Sequence, residues 1–393
     1  MRGRTMAEIV AAAAAVHAPQ LLSRPPHEDP AKLDGSTDAL RAFGRVLDET
    51  APDALLVIGI DHLETFWLEA VPTFTLILSP EADAHYMQTR RQVPVHTDLA
   101  AHLLHGVVRR DVDLTYSQDA VLGHAFLTPF QYVLGDRDIP VVPLLVNAYL
   151  PPLPSPRRCF TLGRTIAEAL ADRPERLAVL ASGGMSHFPG TARYTAPQFS
   201  FDEWVLQEVA AGRFEELLDL TPVQLDEVGE SELLTWFVML GILAGSGQSV
   251  PGSLLSYQHL SHHGHGVVQF VPPVPAGTAA NVDEPLASPV PRFGGHEFTQ
   301  TDFVYYRFPE PASFPLNRLL HRIITDQGLR REFVADPAAV ADAAGLSAEQ
   351  RAALLADGFD RLTSVGAHPL LALSARQVTD LERGALQDLT PPT

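Results

Sequence analysis

Cysteine is all but absent: Cys159 is the single one in 393 residues. No intrachain disulfide can form, and a zinc site built on thiolates is excluded. This scarcity fits a reducing, cytoplasmic setting. Basic side chains are few, 28 against 47 Asp and Glu, for a formal charge of −19, and Lys32 is the only lysine. A chain this acidic repels phosphate backbones, so nucleic acid is not an expected partner. No apolar run reaches the roughly 18 residues that a membrane helix needs, so no membrane partner is expected. Arg2 and Arg4 ahead of the apolar run Ile9–Val16 imitate an export signal. Glu8 interrupts that approach and alanine dominates the run, so the segment reads as a short tail ahead of Met6 and then a first buried strand.

What is present is a globular composition. Hydrophobic residues make up 46% and charged residues 19%, which excludes a disordered chain. The length predicts two to three domains, or a large one with a small one. Short runs that are apolar on both faces predict strands at Ala7–Val16, Ala54–Ile60, Phe74–Leu78, Pro140–Val146 and Leu177–Ser182. Between and after them, helical stretches are expected at Ser36–Thr50, Thr97–Arg110, Arg157–Ala171, Asp202–Ala211 and Gly229 to about Gly245. This alternation predicts an α/β fold, a central sheet flanked by helices. From Val271 to Pro315 proline is dense and the segment reads as a linker. From Phe314 onward the pattern is purely helical, with Ser347 and Gln350 spaced as a capping box and Gly345 placed as a helix end. The expected organisation is therefore a catalytic domain over 1–273, a Pro-rich linker over 274–313 and a small all-α domain over 314–393.

Sixteen histidines are available, and their positions matter more than their number. His17 directly follows the first apolar strand and His62 follows the second. In open α/β sheets ligands collect outside the carboxyl ends of strands, so these two could meet at one metal. A carboxylate at the head of the helix that carries Leu233, Trp236, Phe237 and Leu240, either Glu230 or Glu232, could complete a two-His-one-carboxylate set with open positions. Taken singly, a histidine at a strand end is more often capped or solvated. His187 closes Gly-Gly-Met-Ser-His after the fifth strand; the glycines admit a ligand close to the backbone, and the imidazole suits general acid–base work. His124, in Gly-His-Ala, is a weaker case of the same kind. His259, His262, His263 and His265 crowd one stretch, which reads as a metal cluster or as a polar hairpin at a pocket edge.

Together these segments resemble the class III extradiol ring-cleavage dioxygenases, of the protocatechuate 4,5-dioxygenase and gallate dioxygenase type. Val-His-Ala-Pro at His17, Ile-Asp-His at His62, Gly-His at His124, Gly-Gly-Met-Ser-His at His187 and Glu-Ser-Glu-Leu-Leu-Thr-Trp around Glu232 look like the catalytic subunit. Asn317-Arg318, Arg331-Glu-Phe-Val-Ala-Asp-Pro, Gly345-Leu-Ser-Ala-Glu-Gln and Gly366-Ala-His-Pro look like the small helical subunit, fused here into one chain. The resemblance implies Fe(II) held by His17, His62 and Glu232, with Glu230 as the fallback ligand. It implies His187 as catalytic acid–base, His124 as a second pocket histidine, and Asp61 as an orienter of a ligand. Where the family carries a short stretch that touches the substrate's carboxylate, this chain has Leu260-Ser261-His262-His263, so Ser261, His262 and His263 are expected at the substrate. His368, in the tail, is expected near the pocket of a neighbouring subunit if the family dimer holds. The implied partners are O2 and a small aromatic substrate. A protocatechuate- or gallate-like diol, a substituted catechol, an aminophenol and a dihydroxypyridine all remain open. Two other readings stand beside this one: a relative of the same fold that binds a partner without redox chemistry, and a zinc-dependent hydrolase using the same ligands.

Overall fold

The computed structural model describes residues 7–248, 251–275, 278, 280–282, 302–356 and 359–384. Most of the segment read as a linker, and the tail ahead of Met6, lie outside the described residues. The strands are β1 (Glu8–Ala15), β2 (Ala54–Ile60), β3 (Phe74–Ile77), β4 (Glu81–Tyr86), β5 (Thr89–Pro94), β6 (Thr115–Ser117), β7 (Val121–Leu122), β8 (Val141–Val146), β9 (Arg176–Ser182), β10 (Ser253–His259), β11 (Gly264–Val271) and β12 (Asn281–Val282). Nine of them form one sheet in the order β12-β10-β11-β1-β9-β2-β8-β3-β6. The central four, β1, β9, β2 and β8, are mutually parallel. Antiparallel β11 and β3 flank them. The remaining three strands make a small separate sheet, β5-β4-β7.

The α/β architecture with a helical C-terminal region matches the expectation. The parallel strands are apolar on both faces because helices cover both; in β1, Ala11 through Ala14 are fully buried. Four parallel strands pointing the same way bring four carboxyl ends to one edge. His17 lies two residues beyond β1, His62 two beyond β2, Tyr149 three beyond β8, and Gly183 opens the loop after β9.

One helix was placed too early. The helix expected from Gly229 does not start there: that glycine sits at φ 77° and caps a preceding helix, Pro222–Val228. The next helix runs Leu233–Gly245, with Glu232 at its N-cap position. Its depth is set by contact with the helix Pro156–Ala169. A Cβ on Gly163 would lie 2.0 Å from the Val238 carbonyl oxygen, and one on Gly241 would lie 2.1 Å from that of Phe160. Only glycine lets the two backbones approach so closely, and this contact fixes where Glu232 projects.

The C-terminal helices, from Phe314–Thr325 to Pro369–Glu382, pack onto the same edge of the sheet. Buried Asn317 ties them together: its amide donates to the Gly366 carbonyl at 3.0 Å and its side-chain oxygen accepts from the His368 N–H at 2.7 Å. Asp226 accepts three backbone N–H groups, from Val304, Tyr305 and Tyr306, and so holds the chain that leads into this region against the catalytic body.

Candidate active site

Glu232 is the centre of the site and is wholly buried. Its Oε2 lies 3.2 Å from His17 Nε2, and its Oε1 lies 3.1 Å from both His62 Nε2 and His187 Nε2. The Gly184 N–H donates to Oε2 at 2.5 Å and the Tyr149 hydroxyl donates to Oε1 at 2.9 Å. Burial alone would push this carboxyl up, but the His17 and His187 imidazoles more than offset it, and it stays ionised well below the usual range.

Hydrogen bonds outside the cluster set the tautomers. Ser182 spends its hydroxyl proton on the Ala125 carbonyl at 2.6 Å, so at 3.1 Å it accepts from His17 Nδ1. The lone pair of His17 then sits on Nε2, facing a carboxylate oxygen. Two lone pairs at that distance repel unless a proton or a metal ion joins them. His187 is fixed likewise: Nδ1–H donates to the Met185 carbonyl at 2.8 Å, which leaves Nε2 to face the pocket. The donor set of two imidazole nitrogens and one carboxylate thus fits a divalent first-row cation with open positions. Among the described residues, His62, His187 and Glu232 form one ligand-competent group and His17, His62 and His124 another, overlapping at His62; His27, Glu28 and His262 form a third, apart from Glu232.

His124 stacks on His62 with ring centroids 4.1 Å apart. Glu64 holds it through Nδ1 at 2.9 Å and through its backbone N–H at 3.1 Å. Burial raises the Glu64 carboxyl, but the adjoining His124 and His62 imidazoles bring it down to about 2. His62 falls to about 4, first through burial and then through the neighbouring His124, so its ring is neutral and free to ligate.

The sequence expectations meet the geometry unevenly. His17, His62, Glu232, His187 and His124 converge as expected. Glu230, the fallback ligand, is buried two residues earlier beside Asp202, and burial and that neighbour push it well up, so it is a neutral acid away from the cluster. Asp61 does not touch the His62 ring; it accepts the N–H groups of Glu64, Thr65 and Phe66 and shapes the loop instead. His262 and His263 line the cavity, and the His263 ring lies 4.0 Å from that of His187. Ser261 is a correction: its N–H and hydroxyl both bond Glu28 at 3.1 Å, which turns it away from the cavity. His368 is another. Its Nε2 donates to the Tyr149 carbonyl at 3.0 Å and its Nδ1 accepts from the Leu370 N–H. It braces the cavity wall of its own chain and does not line it. His259 ends β10 and His265 lies in β11, so the histidine-rich stretch is a hairpin, with Leu260 to His263 as its turn.

Sequence reasoning missed two groups. Tyr149 lies 3.2 Å from His187 Nε2 as well as bonding Glu232, and Glu64 orients His124. Their signal was weak but real: each follows the end of a predicted strand by a few residues, as His17 and His62 do.

A family model described as the catalytic LigB subunit of aromatic ring-opening dioxygenase matches residues 11–268. A second, for the LigA subunit of the aromatic-ring-opening dioxygenase LigAB, matches residues 316–378. The 2,3-dihydroxyphenylpropionate/2,3-dihydroxicinnamic acid 1,2-dioxygenase of Klebsiella pneumoniae (strain 342) is 29% identical over 160 residues, 40% of this chain and 51% of that protein. The gallate dioxygenase of Pseudomonas putida is 27% identical over 274 residues, 65% of this chain and 76% of that protein. The chain therefore spans about half the length of the dihydroxyphenylpropionate enzyme it matches. Among solved structures, an uncharacterized protein of Escherichia coli K12 superposes with a TM-score of 0.46 at 17% identity, over 66% of this chain and 99% of that one.

Proposed function

Since the chain belongs to the family of catalytic LigB subunits of aromatic ring-opening dioxygenases, with a LigA-like region fused behind it, we propose that it is an Fe(II)-dependent extradiol dioxygenase acting on a catecholic ring. The observation that carries this reading is the convergence of His17, His62 and His187 on buried Glu232. His17, His62 and Glu232 would hold the metal. Bound there, Fe(II) would supply the electron path between an electron-rich ring and O2, which no side chain can provide. Overall, a carbon–carbon bond beside the diol breaks, both oxygen atoms enter the product, and O2 is the sole oxidant.

The side chains have separable tasks. His187 Nε2, its lone pair exposed by the Nδ1–H bond to Met185, would take the proton of a diol hydroxyl and later return it. Tyr149 is driven well above its ordinary pKa by burial and by the Glu232 charge, so it stays a hydroxyl. It can hand its single hydrogen bond to Glu232 or to His187, and so couples proton position to the charge on Glu232. His124, oriented by Glu64, offers a second polar nitrogen beside the ring. Leu370 and Leu373 of the helix Pro369–Glu382 cover the cavity and would keep bulk water from the reacting ring. Protocatechuate, gallate, aminophenols and dihydroxypyridines all present the paired donors this arrangement needs. A homodimer of the family kind belongs to the same reading.

The test is oxygen uptake by anaerobically Fe(II)-loaded protein with a panel of these diols, read against a His187→Ala variant. Uptake with the formation of a ring-opened chromophore, lost in the variant, is the expected result. Tight iron binding with uptake on no ring would remove the dioxygenase reading, and turnover supported by Zn(II) without O2 would replace it with hydrolysis.

A further inference from the structure

The lining of the cavity includes polar groups beyond the His/Glu cluster. Gln20 opens the short helix Gln20–Ser23 after β1, and Ser374 and Gln377 come from the helix Pro369–Glu382; with Leu373 and His262 they line the cavity. Among the described residues no Lys or Arg lines this cavity. The lysine of the chain, Lys32, donates to the His259 carbonyl at 2.9 Å. Arg193, next to Tyr194 of the wall, lays its guanidinium over the Phe188 ring and bonds the Ala196 carbonyl.

The charges inside already balance. A divalent metal would meet Glu232, and Glu64, half-buried in the cavity wall, adds a second carboxylate; an ionised diol adds more negative charge. Burial also holds His262 and His263 below their ordinary pKa values, so neither supplies a compensating cation. A carboxylate on the ring would therefore enter without a counter-charge, which is costly in a desolvated site. Gln20 points the other way. Its side-chain oxygen is shielded from solvent and has no hydrogen-bond partner. A buried acceptor left in that state favours any ligand that brings a donor to it.

We infer that the diol accepted here carries an uncharged, hydrogen-bond-donating substituent, received by Gln20 beside Ser374 and Gln377, in place of the carboxylate borne by gallate and dihydroxyphenylpropionate. This inference rests on the ring-opening reading above. It identifies Gln20 as a specificity-determining residue and gives the LigA-like region, through Ser374 and Gln377, a share in the substrate pocket.

Three near-isosteric ligands test it: 3,4-dihydroxybenzamide, methyl 3,4-dihydroxybenzoate and 3,4-dihydroxybenzoate. Only the last is charged at neutral pH, and only the first has a donor on the substituent. Equilibrium binding to the full-length Fe(II)-loaded chain is measured anaerobically, and oxygen uptake is measured separately. Binding should weaken from amide to ester to acid, with the amide at least about tenfold tighter than the acid, which corresponds to roughly 1.4 kcal/mol. In Gln20→Leu the amide-to-ester ratio should fall toward one, and Gln377→Arg should raise the acid relative to the amide. Each ratio is taken within one variant, so partial loss of folded protein cancels. Oxygen uptake with the acid bound tightest would overturn this inference and leave the dioxygenase reading standing. Equal binding of amide and ester by the unaltered protein would overturn the role of Gln20. Neither binding nor uptake with any of the three would overturn the dioxygenase reading, and this inference would fall with it.

Discussion

The Tyr149 hydroxyl lies 2.9 Å from Glu232 Oε1 and donates a hydrogen bond to that buried carboxylate, beside the Gly184 N–H on Oε2. The phenol comes from the loop after β8, the carboxylate from the head of the helix Leu233–Gly245, and the contact joins two sides of the site. Tyr149→Phe removes one hydrogen bond and keeps the ring. We expect a stability loss of about 1 kcal/mol and a fall in kcat of roughly 10- to 100-fold, with iron content unchanged. Melting temperature, metal analysis and steady-state kinetics separate the three.

His187 and the metal ligands should fail in different ways. On the proposed reading, His187→Gln still binds added Fe(II) and loses on the order of 10²- to 10⁴-fold in turnover, the usual scale for a lost general acid–base. Glu232→Gln and His17→Ala are expected to lose the iron itself. Metal content of the purified variants, set beside oxygen uptake, checks both; equal iron in all three would mean that the ligand assignment is wrong.

Chelation should also be visible as lost stability. Glu232 is ionised and buried among three imidazoles, so a bound cation stabilises the folded state by mass action and relieves the repulsion at His17. Adding a chelator should lower the melting temperature, and Fe(II) should restore it. In Glu232→Gln the chelator should have no effect.

Gly184 sets the spacing between two parts of the pocket. A Cβ there would lie 2.3 Å from His263 Nε2 and 3.0 Å from Glu232 Oε2. Gly184→Ala should therefore displace His263 or Glu232, lowering turnover by an order of magnitude or more while the fold persists by circular dichroism. Wild-type kinetics in this variant would show that the pocket yields at His263 without consequence.

Acid should loosen the C-terminal helices through His368. Burial lowers this histidine to about 4, and its ring joins the Tyr149 carbonyl to the start of the helix Pro369–Glu382. The unfolded form of this group takes up a proton near pH 6.5 and the folded form near 4, so the unfolded state binds more protons between them. Stability from this group is full above about pH 6.5 and falls as the pH drops toward 4. Melting curves over that range should show the decline, and His368→Gln should flatten part of it. An unchanged slope would assign the decline to the other buried histidines.

Much of this was legible in the chain itself. Runs apolar on both faces identify β1, β2, β8 and β9 because a covered parallel strand has no wet side, and His17 and His62 stand out because each follows such a run at once. The Ser347–Gln350 capping box is a local device, and both of its hydrogen bonds form. Other features had no local signature. The β4–β5 hairpin buries Ala82, Ala84 and Val93 between exposed or half-buried polar positions, and two alanines are too weak an alternation to mark it. Ser261 and His368 sit beside pocket residues in sequence, yet Glu28 and Tyr149, both remote in the chain, claim their side chains.

The sequence by itself determined the layers of the fold, the ligand residue types and the order in which they occur, because strand burial and short-range capping act over a few residues. Only the tertiary structure decided which carboxylate stands at the centre, which tautomer each histidine holds and which helix closes the pocket. Glu230 and Glu232 are two residues apart and chemically alike. The close crossing at Gly163 and Gly241 and the break at Gly229 put one among the imidazoles and the other beside Asp202, and those contacts span distances in the chain that no local pattern records.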